Sequence, residues 1–309
     1  MTKIVTLTMN PALDIATSTE RIVADHKLRC DMPRYDPGGG GINVARAIHS
    51  LGVGALAIFP AGGAAGELIG RLLDEEGVEH AVVPIAGFTR ESLNVVERES
   101  GKQYRFILPG PEIGPLDQQR CLDKLASAAG DAAYIIASGS LPLGVADDFY
   151  SRVAALATGC GKRLILDTSG AALRNAGPGI YLLKPSLSEL ESLLGRPIDA
   201  EHEVDKAARE LIERGYCEIA VVSLGARGAV LASKEDVQHL PAIPVAAKSG
   251  VGAGDSMLAG IIVALTRGRP LIEAVRFGMA AGAAALLATG TQLCHLDDVE
   301  RLFKSSLDR

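Results

Sequence analysis

Residues Ser249 to Ser256 read SGVGAGDS: three glycines and an alanine lead into a single aspartate, and the apolar run Met257-Leu258-Ala259-Gly260-Ile261-Ile262 follows at once. Gly250, Gly252 and Gly254 free the backbone to turn its N–H groups toward an anion, and a helix starting near Ala253 would add the positive end of its dipole. Asp255 then stands where a negative side chain is least expected. A carboxylate facing phosphate is unfavourable unless it performs a task, and the task that fits is accepting a proton from a hydroxyl that attacks phosphorus. Taken alone, the stretch also reads as an ordinary helix start with an aspartate in its first turn.

A second glycine cluster points the same way. Pro37 to Arg46 read PGGGGINVAR, and the helical pattern Ile42, Val44, Ala45, Ile48, Leu51 runs on to Gly52. Such a run costs backbone entropy and is useful where backbone and ligand must come close. Along the rest of the chain, strand-like runs (Ile4 to Met9, Ala55 to Phe59, Tyr134 to Ala137, Leu164 to Leu166, Tyr181 to Leu183, Ile219 to Val222) alternate with amphipathic segments (Glu67 to Glu76, Asp117 to Ala129, Ala146 to Ala157, Glu201 to Arg214). This alternation predicts an α/β fold with a mostly parallel sheet, helices on both faces, and ligand beyond the carboxyl ends of the strands. Two segments, about 13–35 and 92–108, break the rhythm as extended pieces of alternating polarity. The second folds back at Glu99-Ser100-Gly101-Lys102 as a hairpin. Without an internal repeat or linker, residues 1–309 read as one unit with a discontinuous appendage.

Composition narrows the partners. A net charge of −6 without long basic runs argues against nucleic acid, whereas a small anion needs only a few local cations. Five widely spaced cysteines with no CxxC pair point to reduced thiols in the cytoplasm. The opening MTKIVTLTMNPALD reads as a strand rather than a signal peptide, and the apolar stretch Phe277 to Thr289 falls short of the ~20 residues that span a bilayer, so it is expected as a buried helix with no membrane role. The six histidines show no metal-ligand spacing. No GxGxxG follows the first strand, which argues against a dinucleotide-dependent oxidoreductase.

The order PGGGGINVARA, GSLP (Gly139 to Pro142), KPSLSEL (Lys184 to Leu190), SLG (Ser223 to Gly225) and GAGDS resembles the ribokinase, or PfkB, family of sugar kinases along the whole chain. The resemblance implies a three-layer α/β/α sandwich with a small β-sheet lid, built from the two projecting segments and serving as a homodimer contact. The opening TLTMNPALD, the segment HKLRC (His26 to Cys30) and the four-glycine motif resemble the branch acting on sugars that already carry a phosphate. The implied reaction is ATP- and magnesium-dependent transfer to the C1 hydroxyl of fructose 6-phosphate. The alternatives are a tagatose-6-phosphate kinase, a 1-phosphofructokinase, or a non-catalytic sugar-phosphate sensor.

The resemblance also implies roles for individual residues. Asp255 is the base, and the N–H groups of Gly252, Ala253 and Gly254 form the anion hole. Asp14 suits sugar hydroxyls, Gly39, Gly40 and Asn43 grip the substrate, and Ser140 contacts it from a strand end. Lys27 lies between the sugar and nucleotide phosphates, and Arg90 offers a planar fork to the sugar's own phosphate, with Arg105 as a weaker second. Lys184, Ser186, Ser223, Gly225 and Gly228 serve the nucleotide, and Glu189 holds magnesium directly or through water. The family usually has asparagine where this chain has Ser186, which can still cap a helix but lacks the second amide contact. Backbone carbonyls of Ser249, Val251, Ala285, Ala288 and Gly290 correspond to a potassium loop in related kinases.

Overall fold

The structure is a computed structural model that describes residues 3–248, 250–288 and 292–307. In chain order the elements are β1 (Lys3–Leu7), β2 (Ala12–Thr19), β3 (Arg34–Gly38), α1 (Gly40–Ser50), β4 (Ala55–Ala61), α2 (Gly63–Glu76), β5 (His80–Pro84), β6 (Arg90–Glu97) and β7 (Gln103–Ile107). They continue with α3 (Pro115–Ala129), β8 (Ala132–Ser138), α4 (Phe149–Gly159), β9 (Arg163–Asp167), α5 (Gly170–Arg174), β10 (Ile180–Leu183), α6 (Leu187–Leu194), α7 (Glu201–Glu213) and β11 (Cys217–Ser223). The chain ends with β12 (Ala229–Ala232), β13 (Val237–Leu240), α8 (Ala253–Thr266), α9 (Leu271–Leu287) and α10 (Leu296–Leu307).

A nine-stranded sheet runs in the order β13-β12-β11-β10-β9-β8-β1-β4-β5, parallel from β11 to β5 and antiparallel at β12 and β13. Period-two alternation splits its side chains between two cores. Ile4 points to the core shared with α1, α8, α9 and α10, while Val5 and Leu7 point to the one shared with α3, α4 and α7. The result is the expected α/β/α sandwich. A second sheet, β3-β2-β6-β7, holds the two segments that break the α/β rhythm, and the β6–β7 turn places Gly101 at φ 69°.

The motif helix is fixed by unusually close packing. A Cβ on Gly278 of α9 would lie 2.4 Å from Ile261 Cγ1 and 2.6 Å from the Met257 carbonyl of α8, and one on Gly260 would lie 2.8 Å from the Gly278 Cα. Gly278→Ala is therefore expected to destabilise the fold by roughly 1–3 kcal/mol, the usual range for overpacking. Urea unfolding measures it; a wild-type midpoint would show that the two helices can move apart freely. No helix among the described residues is long and apolar enough to cross a membrane.

Candidate active site

The site lies where the carboxyl ends of β1, β8, β9 and β10 meet the N-termini of α1 and α8. Four glycines make the turn from β3 into α1 possible, each for a local reason. A Cβ on Gly38 would strike the Asp14 carboxylate at 2.2 Å; on Gly40, Ser138 Oγ at 2.3 Å; on Gly41, Thr8 Oγ1 at 2.6 Å. Gly39 adopts φ 111°, a conformation that strains residues with a side chain. Arg46 of α1, almost fully buried, donates to the Pro37 carbonyl at 2.9 Å and to Glu76 of α2 at 2.6 Å, which pins the turn from behind.

α8 starts at Ala253, as the glycine pattern predicts, with Gly252 in the left-handed conformation at its N-cap and no side-chain cap. The N–H groups of its first turn are thus left for a ligand. Asp255 in that turn accepts a hydrogen bond from Asn43 Nδ2 at 3.0 Å, joining the two glycine motifs across 212 residues. Burial lifts the Asp255 carboxyl to about 6, with Asp167 adding to the rise, while the Asn43 hydrogen bond and the Lys184 ammonium pull it down. Lys184, at the end of β10, is buried and forms an ion pair with Asp167 of β9 at 3.1 Å. Burial opposes its charge, but Asp167 outweighs that and holds the lysine cationic. A Cβ on Gly254 would sit 3.6 Å from the Lys184 Nζ, so the cation borders the first turn of α8.

On the lid, register places Asp14 beside Ser92, Ala12 beside Arg90, and Asn94 beside Arg105. Asp14, Arg90 and Arg105 therefore share one face. Burial raises the Asp14 carboxyl to about 6, against the pull of Arg90 and Arg105 and with a push from Asp36. Arg90 donates through Nη2 to the Asn10 carbonyl at 3.1 Å, yet its buried Nε has no partner. Burial lowers its affinity for a proton, and Asp14 partly restores it. A half-buried guanidinium with unused donors suits a doubly charged oxyanion. Ser140 lies just beyond β8 and accepts from Asn10 Nδ2 at 3.1 Å.

The residues expected to serve the nucleotide converge at the ends of β10 and β11. Ser186 and Ser223 form a parallel bridge, and Ser223 N–H donates to the Pro185 carbonyl at 2.9 Å. Gly225 and Gly228 turn the chain after β11 at φ 60° and 98°. Ser186 caps α6 in a reciprocal box: its N–H donates to Glu189 Oε2 at 2.7 Å, and Glu189 N–H donates to Ser186 Oγ at 3.3 Å. The S-x-x-E spacing announces that box. Glu189 thus keeps one oxygen free of the cap.

Lys27 lies apart from this cluster. It is exposed on the stretch between β2 and β3, and among the described residues no hydrogen bond or ion pair joins it to the site. Val251 lines a cleft with lid residues, Ala285 is buried in α9, and the Ala288 N–H donates to the Ala285 carbonyl at 3.1 Å; Ser249 and Gly290 lie outside the described residues. Asp167 was not anticipated. Its signal is an aspartate ending the apolar run Leu164-Ile165-Leu166, a position at the ligand end of a parallel strand.

With both carboxylates raised to about 6, kcat/KM should fall as pH drops below about 6, because the proton-accepting form is lost. A pH–rate profile flat down to pH 5 would contradict this reading.

A helix N-terminus with unused N–H groups, a carboxylate in its first turn and a half-buried guanidinium on the lid fit a phosphotransferase that acts on a hydroxyl compound. The pfkB family carbohydrate kinase signature matches residues 7–298, and the chain belongs to that family. It is 53% identical over 302 residues to the ATP-dependent 6-phosphofructokinase isozyme 2 of Mycobacterium tuberculosis, covering 98% of this chain and 89% of that one. Identity to the 1-phosphofructokinase of Xanthomonas campestris is 34% over 302 residues, covering 95% and 91%. Among solved structures, Escherichia coli phosphofructokinase-2 in complex with potassium superposes at TM-score 0.95 with 42% identity, covering 99% and 100%. The same enzyme in complex with fructose-6-phosphate gives 0.93 and 41%, with 100% of each chain covered.

Proposed function

We propose that this chain transfers the γ-phosphoryl group of ATP to the C1 hydroxyl of fructose 6-phosphate, giving fructose 1,6-bisphosphate and ADP. The observation that carries the reading is the Arg90 guanidinium, half-buried with a donor unused, on the lid face it shares with Asp14. An unphosphorylated sugar would leave the Arg90 Nε donor unused. Higher identity to a 6-phosphofructokinase than to a 1-phosphofructokinase favours a phosphate on C6.

In this reaction Asp255 takes the C1 hydroxyl proton as the C1 oxygen bonds to the γ-phosphorus and the bond to the bridging β–γ oxygen breaks. The N–H groups of Gly252, Ala253 and Gly254 receive the charge spread over the transferring oxygens. Lys184 supplies a fixed positive charge beside them, with Asp167 orienting it. Asp14 and Asn43 hold the sugar, with Gly39, Gly40 and Ser140 shaping its floor. Ser186, Ser223, Gly225 and Gly228 face the nucleotide. Lys27 fits between the two phosphates only if its segment folds inward over bound ligands.

Among the described residues no cluster of carboxylates, histidines and cysteines could enclose a metal ion. That suits magnesium carried by nucleotide phosphates and water, for which the free oxygen of Glu189 is one ligand; bound magnesium would neutralise phosphate charge. Glu189→Gln should raise the magnesium requirement while leaving unfolding unchanged, since glutamine keeps the capping box. An unaltered magnesium titration would remove Glu189 from that role. Monovalent-cation binding by the carbonyls of Val251, Ala285 and Ala288, with Ser249 and Gly290, draws support from the neighbour in complex with potassium.

Tyr35, Leu93 and Phe106 are exposed and lie with Ile15 in one row across the lid, on the face away from Asp14. This supports a homodimer through the lid. Five free cysteines fit a reducing cytoplasm. Phosphorus NMR of the product tests the reaction. A second phosphomonoester on C1 is expected from fructose 6-phosphate, and ATP consumption without it would refute the assignment.

A further inference from the structure

Asn94 stands on β6 beside Ala16 of β2 and Arg105 of β7, on the lid face that carries Asp14 and Arg90. It is only 7% exposed, yet neither its Nδ2 nor its Oδ1 has a hydrogen-bond partner. It lines one cleft with Asp14, Ser92, Arg105 and Val251, between the lid and the loop that enters α8. A buried amide without partners costs the fold stability, so its presence here calls for a ligand that completes it.

We propose that Asn94 is a specificity-determining residue that reads a hydroxyl of the sugar. Its carboxamide offers donors and an acceptor side by side, and a sugar hydroxyl can satisfy both. A phosphate would use only the donors and leave Oδ1 facing an anion, whereas Arg90 offers donors alone. Asn94 and Arg90 therefore divide the substrate between them, one taking a hydroxyl and the other the phosphate. The inference rests on the sugar-phosphate reading above and adds which lid residue discriminates among such sugars.

The test pairs Asn94→Leu and Asn94→Ala with fructose 6-phosphate and its 3-deoxy and 4-deoxy analogues, binding being read by calorimetry alongside the kinetics. The expected result is a KM for fructose 6-phosphate raised about tenfold or more, with KM for ATP unchanged. Thermal stability of the sugar-free variants should equal or exceed wild type, an outcome that a merely structural role would reverse. Wild type should bind one deoxy analogue about tenfold more weakly than the parent sugar, and the variants should lose that preference. A variant with wild-type sugar affinity and intact discrimination would overturn the proposal. If neither variant folds, equal wild-type affinity for both deoxy analogues and the parent would overturn it instead. Wild-type turnover of fructose 6-phosphate tests the underlying reading separately.

Discussion

Asp255→Asn is expected to lower kcat at least ~100-fold, because general-base catalysis contributes about 10²–10⁴ in rate. The amide keeps the shape of the carboxylate and can still face Asn43, so nucleotide and sugar affinity should change little. Stability offers an internal control. Burial raises the Asp255 carboxyl from 3.8 to about 6, so the folded state binds this proton more tightly than the unfolded chain. The stability tied to that proton is present at low pH and lost as pH rises through about 6. Asparagine carries no such loss, and the variant should unfold at or above the wild-type temperature at pH 7 to 8. An inactive but stabilised protein supports the assignment; near-normal turnover removes Asp255 from it.

Arg90→Ala should weaken fructose 6-phosphate by roughly 1.5–3 kcal/mol, about 10- to 150-fold, since a charge-assisted contact to the sugar's phosphate is lost. ATP affinity should be unaffected. The effect belongs mainly in KM, because C6 is remote from the reacting hydroxyl, with some loss of kcat if lid closure depends on the contact. Removing Arg90 also deprives Asp14 of its strongest neighbouring cation, so the acid limb of the pH profile should move upward. Unaltered sugar-phosphate affinity would refute the specificity site.

The central sheet, both glycine motifs and the lid hairpin were legible because each rests on local chemistry: alternating periods, glycine runs and a turn. The register of the lid was not. Placing Asn94 and Arg105 on the face of Asp14 depends on pairing strands from distant parts of the chain, and a shift of one residue would have turned them away. Asp167 was hidden for a similar reason, since its meaning comes from Lys184, just past the end of the neighbouring strand. The glycines could be read as close approaches, but which atom each approaches, Asp14 for Gly38 and Ser138 for Gly40, emerges only from the fold. Glu189 shows the opposite case: the capping spacing was in plain view, while the resemblance directed attention to metal binding.

The claim that a phosphate on the sugar, gripped by Arg90, delivers the C1 hydroxyl to Asp255 is tested most directly by kcat/KM on a panel of sugars. Purified protein with ATP and magnesium would be assayed against fructose 6-phosphate, tagatose 6-phosphate, fructose 1-phosphate and free fructose. Fructose 6-phosphate should give the highest value and free fructose should be at least ~10-fold worse, the cost of losing a charge-assisted contact to Arg90. Equal activity on free fructose, or a preference for fructose 1-phosphate, would contradict it.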